Sequence, residues 1–375
     1  MNYREYKKDG SKISLLGYGG MRFPQKDGKI DRERSQKLID TAYEAGVNYY
    51  DTAFMYHGGD SELFFCEALA KYPRDSYYLA DKLPIWMAES ADDVDRIFNE
   101  QLAKCNTEYF DFYLLHSVND DVYSRSQKFD VFSKLDGYRK SGKIKHLGFS
   151  FHGSIELLEK IIAEFDWDFV QLQLNYYDWT HQNAKRQYEI VVEHGLQCII
   201  MEPVRGGGLV NMPDEACDLL RSVHPEWTIP SWAMRFVASL DNVLCILSGM
   251  SDEGALADNL NTFCDDSAFS DSDFECALKA AQILKRSKTI PCTACNYCSD
   301  CPQQIAIPKL FTMYNEFQIS GNGFFFGEDY NELEQSQKPF NCINCGICAQ
   351  RCPQSIDVPE KLKNVLSIAQ RLNLK

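Results

Sequence analysis

The chain has 375 residues, 45% of them hydrophobic, and a formal net charge of −15. That much apolar material can bury a large core, and the length alone suggests about two domains. The acidic balance and the lack of an apolar run of membrane length exclude nucleic acid and membrane as partners, since phosphate contacts require clustered Lys and Arg. The N-terminus, Met1-Asn2-Tyr3-Arg4-Glu5-Tyr6, has no apolar signal region, so a cytoplasmic location is expected. In that setting the 15 cysteines point to metal or redox chemistry rather than disulfides.

In chain order, Asp9-Gly10 between short extended segments is a hairpin signal. Strand patterns follow near 15–19, 47–51, 77–82, 110–115, 144–149, 169–174, 197–202 and 243–248, with helical patterns between them. Asp31 opens a helix closed by Gly46, Ser90 with Asp93 resembles a capping box, and Ser154 opens a helix through Leu157, Leu158, Ile161 and Ile162. Eight β/α alternations in about 265 residues match a closed (β/α)8 TIM barrel. A doubly wound open sheet is the alternative, but the first turn, Gly17-Tyr18-Gly19-Gly20-Met21-Arg22, lacks the G-x-G-x-x-G fingerprint.

Composition shifts at Cys264-Asp265-Asp266-Ser267, which reads as a linker between a barrel over 1–265 and a small, mainly α-helical domain over 266–375. A helix over 273–287 begins that second part. The run Gly321-Asn322-Gly323-Phe324-Phe325-Phe326-Gly327 reads as domain-interface packing rather than a ligand site.

Asp51, Tyr56, Lys82 and His116 fall at or just past the C-terminal ends of three consecutive strands. Parallel neighbours lie about 4.8 Å apart, so the four can share the barrel mouth where such folds keep their chemistry. Taken singly, each has a plain structural reading: a surface Asp, a half-buried Tyr, a solvated Lys, a hydrogen-bonded core His. Together they resemble the catalytic tetrad of the aldo/keto reductases. The resemblance covers about residues 10–265 and rests on Asp51-Thr52-Ala53-x-x-Tyr56, Lys82, Leu115-His116, Gly148-Phe149-Ser150, and Gln171 with Asn175.

The resemblance implies reduction of an aldehyde or ketone, or oxidation of the alcohol, with NAD(H) or NADP(H). Hydride transfer to a carbonyl builds negative charge on oxygen, so a proton donor must stand beside it. Tyr56 would be that donor, with Lys82 lowering its pKa, Asp51 holding Lys82 and His116 orienting the carbonyl. Ser150 and Gln171 match two holders of the nicotinamide amide. Arg205, in Pro203-Val204-Arg205-Gly206-Gly207-Gly208, would approach the pyrophosphate, with a plain flexible loop as the other reading. Asn259 would contact adenine.

The chain departs from the family after Ser150, where Asn is usual and the chain reads Phe151-His152, and at Met201, where the stacking Tyr is usual. It also reads Ser248-Gly249-Met250-Ser251, with Ala255 where NADP-selective relatives carry Arg. Without that clamp on the 2′-phosphate, NADH is expected to bind at least as tightly as NADPH.

Eight cysteines form two runs, Cys292-x-x-Cys295-x-x-Cys298-x-x-Cys301-Pro302 and Cys342-x-x-Cys345-x-x-Cys348-x-x-x-Cys352-Pro353. The second has the spacing of a bacterial ferredoxin run. The stretches after them repeat, Ile305-Ala306-Ile307-Pro308 against Ile356-Asp357-Val358-Pro359. The pair resembles a ferredoxin-type module with two [4Fe–4S] clusters, against zinc as the alternative. In such modules the cysteine before Pro ligates the other cluster, so Cys352 would complete the site of Cys292, Cys295 and Cys298, and Cys301 that of Cys342, Cys345 and Cys348. A hydride carries two electrons and a cluster takes one, so the clusters would serve a redox partner protein, a second cofactor or structure alone. The alternative reading is an electron-transfer or regulatory module whose barrel binds nucleotide without turnover.

Overall fold

The eight strand patterns form eight parallel strands closed into a barrel in the computed structural model, which describes residues 1–180, 183–265, 267–286, 289–320 and 323–374. They are β1 (Leu16–Gly19), β2 (Tyr49–Asp51), β3 (Tyr78–Leu83), β4 (Phe110–Val118), β5 (Ile144–Phe151), β6 (Phe169–Gln173), β7 (Gln197–Met201) and β8 (Val243–Ser248). Closure comes from β8 pairing with β1, Ile246 opposite Leu16 and Ser248 opposite Tyr18. The open-sheet alternative is thereby set aside. The helix starts follow local capping chemistry: Asp31, Ser90 and Ser154 each accept from a backbone N–H in the first turn, and Ser90 with Asp93 completes a capping box.

The barrel interior is filled from the N-terminal side. Tyr49, Ala80, Phe112, Leu114, Phe169, Ile199 and Leu244 form one buried cluster with Tyr6 and Ile13 of the N-terminal hairpin. That hairpin pairs Tyr3–Glu5 with Lys12–Ser14. Tyr6 donates from its hydroxyl to the Asp168 carbonyl at 2.9 Å, just before β6. Strand spacing here leaves little room: a Cβ on Gly148 would lie 2.6 Å from the Phe169 carbonyl oxygen. With that end packed, the opposite end is left for chemistry.

The chain divides into two compact units, Met1–Pro203 with Ser231–Ser270, and Val204–Pro230 with Asp271–Lys375. In the second unit the helix Asp214–Val223 packs against the helix Asp271–Arg286, and His224 Nε2 lies 2.9 Å from Asp273 Oδ1. Its core gathers Ile305, Ile307, Leu310, Phe311, Ile356, Val358, Leu362 and Val365, with several of the clustered cysteines packed on it. Phe326 joins this core. Gly321, Asn322 and the side chains of Phe324 and Phe325 lie outside the described residues, as do Asp266 and Ser287. Among the described residues no helix is long and apolar enough to cross a membrane.

Candidate active site

β2 ends on Asp51, and β3 carries Lys82 one position before its end. The Lys82 side chain is fully buried, and its Nζ donates to Asp51 Oδ1 at 2.6 Å and to the Thr52 carbonyl at 2.7 Å. Burial raises the Asp51 carboxyl above its ordinary range, and Lys82 pulls it back down. Lys82 is also braced from behind: its backbone N–H donates to Asp81 Oδ1 at 2.8 Å, and Gln101 Nε2 donates to its carbonyl at 3.0 Å. Asp81 and Glu62 are both fully buried, and burial with the nearby Glu62 holds the Asp81 carboxyl well above the usual range.

Tyr56 opens a short 3₁₀ turn after β2, and its ring centroid lies 5.1 Å from Lys82 Nζ. The His116 ring stands edge-on to it with centroids 6.2 Å apart, and Trp86 lies 5.0 Å from His116 on the other side. His116 reaches this position through an irregularity in β4, where the register to β5 shifts between Leu115 and Val118 and Ser117 takes a left-handed φ of 58°. A break in the ladder re-aims a side chain at a strand end. The four sequence-derived residues are therefore gathered at the barrel mouth.

The electrostatics differ from the sequence expectation for Tyr56. Its phenol is pushed well above the ordinary value, by burial first and then by Asp51, Glu202 and Asp81, with Arg22 opposing. Burial wins because the Lys82 charge is already matched by Asp51 at contact distance. His116 is pushed well below its ordinary value by burial, then by Lys82 and His152. At neutral pH the pocket thus presents a neutral phenol and a neutral imidazole.

Ser150 and Gln171 sit opposite one another on β5 and β6. Ser150 Oγ accepts from the Ser117 N–H at 2.7 Å, and Gln171 Nε2 donates to Met201 Sδ at 3.5 Å. Asn175 is occupied locally, donating to Asp178 Oδ2 at 2.8 Å and to the Glu202 carbonyl at 3.0 Å. Asn259 Nδ2 donates to Ser248 Oγ at 2.9 Å beneath the end of β8. Arg205 belongs to the second unit, where it is buried and donates to Gln354 Oε1 at 3.2 Å. Trp86 and Glu202 were not singled out from sequence. Glu202 pairs with Arg22 at 3.2 Å and holds a left-handed φ of 56°, a conformation sequence does not announce.

In the second unit the two cysteine runs share a backbone. Left-handed residues recur at matching positions, Ala294 and Asn344, Asn296 and Gly346, Gln304 and Ser355. Cys301, Cys342, Cys345 and Cys348 together line one pocket. Cys298 is pushed up to about 12 by burial, then by its neighbours Cys292, Cys295 and Cys352. Asp300 and Arg351, each just before the last cysteine of its run, form an ion pair across the pseudo-repeat.

The aldo/keto reductase family model matches residues 15–277. The chain belongs to the aldo/keto reductase family. A 4Fe–4S dicluster domain model matches residues 291–356. Among relatives, 6-dehydroglucose reductase of Novosphingobium aromaticivorans is 28% identical over 160 residues, which are 40% of this chain and 51% of that protein. The chain thus spans about half the length of that relative. The NADH-specific methylglyoxal reductase of Escherichia coli K12 is 23% identical over 320 residues, 73% of this chain and 96% of that one. In fold, the holo form of aldo-keto reductase AKR11C1 from Bacillus halodurans superposes with a TM-score of 0.62 at 20% identity, over 75% of this chain and 96% of that one.

The mouth of this aldo/keto reductase suits a nicotinamide in one specific respect. Gln171 Oε1 is buried and has no hydrogen-bond partner among the described residues. A buried acceptor left unmet is costly, and a carboxamide N–H2 between Gln171 and Ser150 would satisfy it. In the second unit four thiols of the two runs, Cys301, Cys342, Cys345 and Cys348, face one pocket on a shared, repeated backbone, which is the donor type an iron–sulfur cluster requires.

Proposed function

We propose that this aldo/keto reductase reduces an aldehyde or ketone with a nicotinamide cofactor, or runs the reverse oxidation, and that its eight clustered cysteines hold two [4Fe–4S] clusters. The buried Lys82–Asp51 pair beside Tyr56 is the observation that carries the reading. A nicotinamide supplies or removes a hydride when bound, and the clusters move single electrons. Tyr56 gives its hydroxyl proton to the carbonyl oxygen, and its raised pKa keeps that proton in place until charge develops there. His116, neutral, donates to the same oxygen without bringing a competing charge. Lys82 favours the phenolate that remains, and Asp51 fixes Lys82. Trp86 covers the flank of His116 and limits water at the reacting atoms.

Ser150 and Gln171 hold the nicotinamide amide, and Asn259 lies at the adenine side after β8. NADH is the favoured nucleotide, since no cation stands at Ala255, and the NADH-specific relative agrees with that choice. For the clusters, Cys352 completes the site of Cys292, Cys295 and Cys298, and Cys301 completes that of Cys342, Cys345 and Cys348. The cavity and the neighbours of Cys298 support this crossed sharing.

The test uses anaerobically purified full-length protein against a panel of small aldehydes and ketones, following nucleotide oxidation with NADH and NADPH. Carbonyl-dependent turnover with NADH at least as effective as NADPH is expected. Tight nucleotide binding without turnover of any carbonyl would overturn the catalytic reading, and a tenfold preference for NADPH would overturn the nucleotide choice.

A further inference from the structure

The chain leaves β7 at Met201 and enters a tight loop that belongs to the second unit from Val204 onward. Arg205 there has a φ of 53°, a left-handed conformation that a non-glycine residue keeps only where its surroundings impose it. It is only 6% exposed, and its guanidinium is fixed on Gln354, two positions after Cys352. The next residue must be glycine: Gly206 has a φ of 62°, and a Cβ on it would lie 2.5 Å from the Thr293 carbonyl oxygen and 2.9 Å from the Thr293 Cα. Thr293 stands between Cys292 and Cys295. Residues 205 and 206 therefore press on the chain beside two ligands of a single crossed site.

The other site is different. Among the described residues, the cavity lined by Cys301, Cys342, Cys345 and Cys348 has no cationic side chain in its lining. Lys363 is largely exposed and paired with Glu360 at 2.6 Å, and its charge is screened by water. The two sites repeat in backbone, and the buried Lys338, four residues before Cys342, lies over the Tyr330 ring at 4.9 Å and does not line that cavity.

We propose that Arg205 sets the reduction potential of the cluster held by Cys292, Cys295, Cys298 and Cys352, making it easier to reduce than the cluster held by Cys301, Cys342, Cys345 and Cys348. The assignment rests on the two-cluster reading above. Taking up one electron makes a cluster more negative by one charge, and a buried, fixed guanidinium stabilises that state. At an effective dielectric of about 20, one such charge is enough to change the reduction equilibrium about tenfold. Electrons entering the module would then rest first on the cluster beside the loop that follows β7.

The test is an EPR-monitored redox titration of the anaerobically reconstituted full chain, with the two signals assigned by Cys295→Ser and Cys345→Ser. Arg205→Met is expected to make the Cys295-dependent signal about tenfold harder to reduce, about 59 mV for a one-electron couple. The Cys345-dependent signal should stay where it was. Arg205→Lys, which keeps the charge, should retain most of the wild-type potential, which a merely structural role for the arginine would not require. An unmoved Cys295-dependent potential, or an equal shift of both signals, overturns the assignment. About four irons per chain instead of about eight would sink the two-cluster reading itself, and this assignment with it.

Discussion

Lys82 and Asp51 meet at 2.6 Å with both side chains out of water. A pair buried this deeply is bound to its partner in stability as well as in catalysis, because either charge left alone in the interior is expensive. Lys82→Met is therefore expected to destabilise the barrel by about 3–5 kcal/mol. Adding Asp51→Asn should recover much of that stability while leaving carbonyl reduction abolished. Urea unfolding of the single and double variants checks this, and a double variant no more stable than the single would refute the pairing. The histidines make a separate statement about pH. Burial pushes His152 down from 6.5 to about 4. Between those values the unfolded chain binds a proton that the folded chain refuses, so stability is complete above pH 6.5 and is lost as pH falls towards 4, by at most about 1.4 kcal/mol per pH unit. His152→Asn should flatten the fall in urea midpoint between pH 7 and 5. An unchanged slope would place the acid sensitivity elsewhere.

At the scale of elements, the strands were legible because each barrel strand is a short apolar run bounded by turn residues, and all eight appear close to where the pattern put them. What escaped the pattern is backbone shape. The irregularity that aims His116, and the left-handed Ser117 and Glu202, depend on neighbouring strands rather than on local propensity. The cysteine runs were legible for the opposite reason, since their spacing is itself the chemistry. Their shared left-handed positions explain how one backbone serves twice, with Ala294 holding the conformation that Asn344 adopts in the second copy. Crossed sharing then makes a sharp prediction. Cys301→Ala, reconstituted anaerobically, should perturb the EPR signal that depends on Cys345 and spare the one that depends on Cys295. The reverse result would mean that each run holds its own cluster.

At the scale of the whole molecule, the 4Fe–4S dicluster match lies in the second unit and most of the aldo/keto reductase match in the first. The gathering of Asp51, Tyr56, Lys82 and His116 at the barrel mouth could be read from sequence because Asp51, Lys82 and His116 lie at the ends of strands whose order fixes their neighbourhood, and Tyr56 follows Asp51 closely. The membership of Val204–Pro230 in the second unit could not, because no shift in composition marks it and it is set by packing on the helix Asp271–Arg286 and by the fit of Gly206 against Thr293. The direction of the Tyr56 pKa also needed the structure, since sequence gives the neighbour Lys82 but neither the depth of burial nor the Asp51 contact that occupies its charge. Tyr56, at the barrel mouth, is the proposed proton donor for carbonyl chemistry. The most direct measurement is the turnover of Tyr56→Phe beside wild type, with nucleotide affinity measured on the same preparations. A loss of about 10² to 10⁴ in carbonyl reduction with nucleotide binding intact is the predicted result, and turnover within a few-fold of wild type would contradict it.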